Sequence, residues 1–105
     1  MPSAFNYRHL YYFWVVAKEG GLARAAERLD MAVQTISTQV RELEKSLGHQ
    51  LLKPAGRGVA LTEAGHAAYA RADEIFQLGQ RIADDVREAA TLPVQRLAVG
   101  LVDGI

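Results

Sequence analysis

Hydrogen-bonding side chains and one arginine recur on one side of a predicted helix in the first half of the chain. An amide such as that of Gln34 can pair with adenine through two hydrogen bonds, and Arg41 can reach guanine or a phosphate. These residue types are therefore typical of a helix that reads bases in the major groove of duplex DNA. A solvated helix face would carry similar residues, so the interpretation depends on the neighbouring elements. The candidate base-reading positions are Val33, Gln34, Thr35, Ser37, Thr38 and Arg41.

A second group of candidate DNA contacts lies in a Gly/Pro-rich turn. Lys53 and Arg57 are basic, and Gly56 and Gly58 stand on either side of Arg57. Since glycine has no side chain, the backbone there can approach a phosphate closely. We therefore predict that these four residues contact the DNA backbone, and a plain turn is the alternative.

The apolar spacing predicts the elements that must position these groups. The predicted helices cover about residues 7–19, 22–29 and 33–47. Asn6 is the expected N-cap of the first helix, and Gly20–Gly21 and Gly48 are the expected ends of the first and third helices. The predicted inward positions are Leu10, Phe13, Val16, Ala17, Leu22, Ala25, Ala26, Leu29, Ile36, Val40, Leu43 and Leu47.

A hairpin and a long helix follow. Two short apolar segments, 50–53 and 59–61, flank the Gly/Pro-rich turn and predict a β-hairpin. Thr62 is the expected N-cap of a fourth helix that runs to about residue 90. Helix, tight turn, helix and hairpin is the winged helix-turn-helix arrangement. The predicted fold class is mainly α, with this domain followed by a long helix.

Composition limits the range of functions. The chain has 105 residues and no net charge, but residues 1–62 carry +3 and residues 63–105 carry −3. The absence of cysteine excludes disulfides and thiolate metal sites. The longest apolar run, Leu10–Ala17, is far shorter than the roughly 20 residues of a membrane span. We expect a cytoplasmic protein without a membrane partner.

Enzymatic chemistry finds little support in the sequence. The three histidines are scattered and lack metal-ligand spacing. The adjacent pairs Asp73–Glu74 and Asp84–Asp85 point in different directions on a helix, so neither can flank a scissile bond. Gly56–Gly58 is too short for a nucleotide-binding loop. We expect no catalytic residue, metal or cofactor, and an enzyme is the remote alternative.

The fourth helix carries a seam with alternating four- and three-residue spacing, which predicts helix pairing. No other predicted helix is long enough to cover it, so a homodimer is expected, with packing against the first helix as the alternative. We expect Tyr69, Phe76 and Ala83 to form a neighbouring stripe against the first helix. The seam residues are Ala68, Ala72, Ile75, Gly79, Ile82, Val86 and Ala89.

Three aromatic residues on the first helix also allow two interpretations. Tyr11, Tyr12 and Trp14 interleave with predicted core residues, which favours packing against the long helix. A stacking platform for single-stranded nucleic acid is the alternative.

Residues 6–90 resemble the DNA-binding segment of LysR-type transcriptional regulators without a gap. The opening segment, Asn6–Trp14, further resembles a subgroup of sodium-responsive activators of sodium/proton antiporter genes. The residues that carry the family resemblance are Ala25, Ala26, Leu29, Ile36, Ser37, Val40, Leu43, Glu44, Leu47, Gly48, Leu51, Leu52, Gly56, Arg57, Gly58, Leu61, Thr62, Ala64 and Gly65.

The resemblance implies three parts. Residues 1–62 form a winged helix-turn-helix DNA-binding domain, 63–90 a dimerisation helix, and 91–105 a hinge and the first strand of a truncated effector-binding domain. It also implies double-stranded DNA and RNA polymerase as partners, and a tetramer in the full-length protein. A helical protein-interaction module without DNA affinity is the rival hypothesis.

The chain departs from the family pattern at several positions. Ala32 stands where members often carry a capping serine, and we expect Asp30 to compensate. Thr38 and Pro54 stand where arginines are usual, and Gly21 and Ala23 replace hydroxyl residues. These changes imply weaker or differently specified DNA binding.

Overall fold

The computed structural model describes residues 5–91 and has the predicted winged helix-turn-helix architecture. Three helices precede a two-stranded antiparallel hairpin and a long fourth helix. The mainly α fold class is thereby confirmed. The elements are α1 (Tyr7–Glu19), α2 (Leu22–Leu29), α3 (Val33–Leu47), β1 (Leu52–Ala55), β2 (Gly58–Leu61) and α4 (Glu63–Ala90).

The ends of α1 and α3 follow from local chemistry. The Asn6 side-chain oxygen accepts hydrogen bonds from the backbone N–H groups of Arg8 and His9, at 2.7 and 3.3 Å. Gly20 and Gly48 end the two helices with φ of 82° and 76°, a left-handed conformation that favours glycine. The predicted caps are therefore confirmed.

The core of the first three helices is built from the predicted inward faces, with one addition. Val15 is also fully buried, because α1 packs against both α2 and α3 and so buries more than one stripe. Ala17, Leu22, Leu29 and Leu47 are only half-buried. The buried helical residues of this core are Leu10, Phe13, Val15, Val16, Ala25, Ala26, Ile36, Val40 and Leu43.

The hairpin joins β1 to β2 through the two-residue turn Gly56–Arg57. Leu52 pairs with Leu61 at one end and Ala55 with Gly58 at the other. Gly56 has φ of 59°, which suits the first central position of a tight hairpin turn. The strands therefore begin and end within two residues of their predicted positions.

Close backbone approaches hold the hairpin against its neighbours. The Val59 N–H donates to the Gly20 carbonyl at 3.2 Å, and a Cβ on Gly58 would collide with that same oxygen. A Cβ on Gly65 would likewise collide with the Leu51 carbonyl. Glycine at positions 58 and 65 therefore permits contacts that any side chain would prevent.

The fourth helix begins at a threonine cap and crosses the boundary between two compact units. The Thr62 hydroxyl accepts a hydrogen bond from the Gly65 N–H at 2.9 Å, which confirms the predicted N-cap. One unit ends at Glu74 and the other begins at Ile75, so the first turns of α4 belong to the first unit. The hinge and strand predicted over 91–105 lie outside the described residues, apart from Thr91.

Within residues 5–91, no helix is both long and apolar enough to cross a membrane.

Candidate nucleic-acid interface

The exposed face of α3 presents the predicted base-reading residues together. Ile36, Val40 and Leu43 are buried on the opposite face and anchor the helix in the core. The outward side chains therefore project from a rigid element, which a surface that reads base edges requires. Ser37 is half-buried, and the exposed members are Val33, Gln34, Thr35, Thr38 and Arg41.

The N-terminus of α3 differs from the prediction. Ala32 is the N-cap residue, and no side chain caps the helix, so the expectation that Asp30 compensates is wrong. Asp30 instead ends α2 in the left-handed conformation, with φ of 55°. A left-handed residue at that point turns the chain between α2 and α3, and its carboxylate does not cap the helix that follows. The first amides of α3 therefore lack a side-chain cap.

Three of the four predicted phosphate-contacting residues of the hairpin are exposed, and the fourth, Gly58, is half-buried. Arg57 occupies the second position of the turn and is exposed, next to the exposed Gly56. Lys53 is exposed on β1, opposite Ala60. Pro54 is also exposed but offers neither a charge nor an N–H group. The basic character of the hairpin therefore depends on Lys53 and Arg57.

The structure brings part of the α3 set and part of the hairpin set into one cleft. Ser37 and Arg41 from α3 line it, together with Lys53 and Gly58 from the hairpin. Its volume is about 370 Å³. Two cations and a hydroxyl thus face a shared space, while Gln34 lies exposed on the open helix surface.

Glu44 joins α3 to the hairpin, a role that the sequence did not reveal. One carboxylate oxygen, Oε2, accepts hydrogen bonds from the backbone N–H groups of Leu51 and Leu52, at 2.8 and 3.1 Å. In the sequence, Glu44 belonged only to the residues that carry the family resemblance, which assigned it no contact. The available signal was its position one turn before Gly48, where a side chain can reach the chain that leaves the helix.

A second polar contact secures the base of the hairpin. The Thr62 hydroxyl donates to the Gln50 carbonyl at 2.6 Å, and the Thr62 N–H donates to the Leu51 carbonyl at 2.9 Å. The residues before β1 and after β2 are thus tied together where the hairpin meets α4.

A third arginine, Arg28 on α2, forms an ion pair with Glu19 at the end of α1. Arg28 of α2 contacts Glu19 at 2.6 Å, and this hydrogen bond raises the pKa of the Arg28 guanidinium above its ordinary value. Arg28 is therefore directed toward α1, whereas Arg41, Lys53 and Arg57 lie on the α3 and hairpin surfaces.

Of the three aromatic residues of α1, Trp14 packs as expected, toward the first turns of α4. The Trp14 indole N–H donates to Asp73 at 3.0 Å, and the Lys18 ammonium lies 4.6 Å from the centre of the Trp14 ring. Nearby, burial raises the pKa of the Tyr69 phenol, and the Asp73 charge adds to this effect. The Trp14 ring is thus half-buried and engaged within the chain, which favours packing over a stacking platform.

The predicted dimer seam divides between the two units. In the first unit, Ala72 is fully buried within its own chain, so its predicted place in an exposed seam is wrong. Ala68 is half-buried there. The cause is that α4 uses its first turns to complete the core, and the small Ala72 side chain faces inward.

In the second unit, α4 exposes an apolar stripe. Ile75, Leu78, Ile82 and Val86 are 37%, 58%, 64% and 64% exposed, and we call these four residues the α4 stripe. Leu78 was not among the predicted seam residues, because strict heptad spacing passes over it. Gly79 and Ala89 are exposed as well, and a Cβ on Gly79 would meet nothing within 4 Å. Ala83 is exposed as well.

The described part of the chain has no candidate metal-binding site. No group of three or more His, Cys, Asp or Glu side chains between residues 5 and 91 is arranged to hold a metal ion.

Known proteins resemble this chain in both sequence and structure. The family model of bacterial regulatory helix-turn-helix proteins of the lysR family matches residues 7–66. The transcriptional activator protein NhaR of Escherichia coli (strain K12) is 48% identical over 84 residues, which are 80% of this chain and 28% of NhaR. The chain thus spans under a third of that relative's length.

Two solved structures of DNA complexes have the same fold. A crystal structure of the CbnR DNA-binding domain with DNA is 42% identical, with a TM-score of 0.70, over 82% of this chain and 99% of that one. The BenM DNA-binding domain with its catB site 1 DNA is 32% identical, with a TM-score of 0.75, over 82% of this chain and 96% of that one.

Proposed function

The chain belongs to the LysR family of bacterial regulatory helix-turn-helix proteins, and from this we propose that it binds double-stranded DNA as a homodimer. In this proposal α3 enters the major groove and the hairpin lies on the phosphate backbone. The observation that carries it is the exposed polar face of α3 beside a cleft that Arg41 shares with Lys53.

The residues divide into base readers and phosphate contacts. Gln34 is exposed near the start of α3, and we assign it to adenine recognition through two hydrogen bonds. Thr35, Ser37 and Thr38 add hydroxyl groups, and Arg41 reaches guanine or a phosphate. These side chains supply sequence preference because base edges differ in their hydrogen-bonding groups.

Phosphate contacts supply most of the affinity in the proposal. Lys53 and Arg57 contact the phosphate backbone from the hairpin, where the exposed Gly56 allows close approach, whereas Gly58 lies against the Gly20 carbonyl. The uncapped first turn of α3 adds backbone N–H groups that suit an anion.

The homodimer is proposed on the α4 stripe. Four large apolar side chains exposed along one side of a helix are costly in water, and a second copy of the same helix would cover them. Gly79 and Ala89 lie exposed on the same stretch and would let the two helices approach closely. Such a dimer has two-fold symmetry, so its DNA site is expected to be an imperfect palindrome.

The role of the whole protein is a further proposal, because the chain spans only part of its relatives. We propose a cytoplasmic transcriptional regulator without enzymatic activity, and an activator in particular, since NhaR is an activator by name. A sodium/proton antiporter gene is the proposed target, and RNA polymerase the proposed partner. A full-length tetramer remains a prediction.

The rival hypothesis, a protein-interaction module without DNA affinity, is not favoured. Domains of the same fold have been crystallised with DNA, at 32% and 42% identity to this chain.

The proposal is tested by selecting binding sites from a pool of random duplexes. We expect enrichment of a two-fold symmetric sequence whose half-sites lie about one helical turn apart. Enrichment of a single half-site would contradict the dimer, and no enrichment would contradict sequence-specific binding. The position of the selected site in the source genome then tests the antiporter gene as the target.

A further inference from the structure

Glu44 lies where the proposed DNA-reading helix meets the hairpin. Its side chain is half-buried, and its Oε2 accepts both the Leu51 and Leu52 N–H groups, at 2.8 and 3.1 Å. These amides belong to the residues that lead into β1, which begins at Leu52. A single carboxylate therefore attaches the start of the hairpin to the side of α3.

We propose that Glu44 is a positioning residue of the DNA interface, which fixes the hairpin at a set distance from the reading face of α3. This inference rests on the proposed function. Hydrogen bonds to an ionised acceptor are about twice as strong as neutral ones. Two of them on one oxygen give the link both strength and direction.

The segment between α3 and β1 shows why such a link is needed. Gly48 turns the chain in the left-handed conformation, and residues 48–50 are all exposed. An exposed turn of this kind gives little packing to set the direction of the strand that follows. The hydrogen bonds from Glu44 set that direction relative to α3, while the buried Leu51 side chain and the Thr62 contacts to Gln50 and Leu51 hold the same segment against the rest of the domain.

The charge of Glu44 argues against direct DNA contact as its role. Glu44 lines the same cleft as Arg41 and Lys53, the cations proposed to meet the DNA. A carboxylate in that place repels phosphate, so it lowers affinity unless it contributes something else. The hydrogen bonds to the backbone are that contribution.

Three substitutions separate position from charge. Glu44→Ala removes both hydrogen bonds, and Glu44→Asp keeps the charge but shortens the side chain by one carbon. Glu44→Gln keeps one oxygen that can accept both N–H groups and loses the charge. We expect the alanine and aspartate variants to release the hairpin and the glutamine variant to retain it. Glu42→Ala, an exposed position on α3, is the matched control.

The first readout is amide hydrogen exchange by NMR, which requires no DNA. We expect the Leu51 and Leu52 amides to exchange at least ~10-fold faster in Glu44→Ala and Glu44→Asp than in the wild type. Exchange should stay at the wild-type rate in Glu42→Ala, and in Glu44→Gln it should lie between the wild type and Glu44→Ala, because neutral hydrogen bonds are weaker. Unchanged exchange in both Glu44→Ala and Glu44→Asp would overturn the proposal. If the alanine variant fails to fold, the comparison of aspartate with glutamine decides.

The second readout is a double-mutant cycle on DNA affinity, which a general loss of stability would not reproduce. We expect the effect of Arg57→Ala to shrink strongly in the Glu44→Asp background, because the hairpin is no longer held in place. The effect of Gln34→Ala should persist, since α3 remains anchored by its core. Equal persistence of both effects would overturn the role of Glu44.

The two readouts keep this inference distinct from the proposed function. A wild-type chain that binds no DNA overturns the proposed function, whatever the exchange rates show. A wild-type chain that binds DNA, with Leu51 and Leu52 exchange insensitive to both Glu44→Ala and Glu44→Asp, overturns only the role of Glu44.

Discussion

The two exposed helical faces of this chain differ in both chemistry and support. The α3 face carries hydroxyl, amide and guanidinium groups, and its opposite side is buried in the core. The α4 stripe carries only aliphatic side chains, and every residue from position 77 to 90 is exposed.

The contrast indicates what each surface is suited to bind. A polar face on an anchored helix suits a partner that is recognised by hydrogen bonds, as base pairs are. An aliphatic stripe gains free energy only by leaving water, so it suits another apolar surface. This difference agrees with the proposed roles, in which α3 and the hairpin recognise DNA and α4 mediates self-association.

The largest expected effect is on the α4 stripe. Ile82→Asp would place a charge in the proposed dimer interface, and an unpaired buried charge costs several kcal/mol. We expect dimer dissociation to rise by at least ~100-fold, measured by sedimentation equilibrium. Gln80→Asp, on another side of the same helix, is the control and should leave the dimer intact. An unchanged mass for Ile82→Asp would remove the stripe from the interface.

A smaller and more local effect is expected on the α3 face. Gln34→Ala should relax the preference at one base pair by ~1–3 kcal/mol, because two hydrogen bonds to that base are lost. The measurement is the affinity for a panel of duplexes that each differ at one position. A uniform loss across the whole panel would contradict base reading by Gln34.

In contrast to Gln34, a phosphate contact on the hairpin should affect the affinity for all sequences alike. Arg57→Ala should weaken binding several-fold, about equally for all sequences, and should lower the salt slope by about one. The reason is that a phosphate contact carries no sequence information. Titrations at several salt concentrations provide the test, and affinity that does not change would remove Arg57 from the interface.

The smallest effect tests how closely the two α4 helices approach. Alanine stabilises a helix by about 1 kcal/mol more than glycine does. In the single chain, the Gly79 position also has room for a Cβ. Gly79→Ala should therefore stabilise the isolated helix yet weaken the dimer a few-fold. A dimer strengthened by this change would show that the helices do not meet closely at Gly79.

The sequence predicts the helices well because their signals are local. Asn6, Gly20 and Gly48 mark helix ends through hydrogen bonds and backbone angles within a few residues, and the structure agrees. The exposed and buried sides of α3 also follow from its spacing alone, because one core covers one side of it.

The sequence does not predict features that depend on distant parts of the chain. Ala72 fits the seam spacing but is buried, because the first turns of α4 complete the core of the first unit. Leu78 lies outside strict heptad spacing yet belongs to the exposed stripe. Glu44 gains its role from amides seven and eight residues away, across a turn whose path the sequence does not fix.

DNA binding at two salt concentrations tests the central claim most directly. Fluorescence anisotropy with a pool of random duplexes, at about 50 and 200 mM salt, measures the phosphate contribution. If about 6–10 phosphates are contacted, affinity should fall by ~10³–10⁵ over that range. Binding that is absent at the lower salt concentration would contradict the assignment of α3 and the hairpin to DNA.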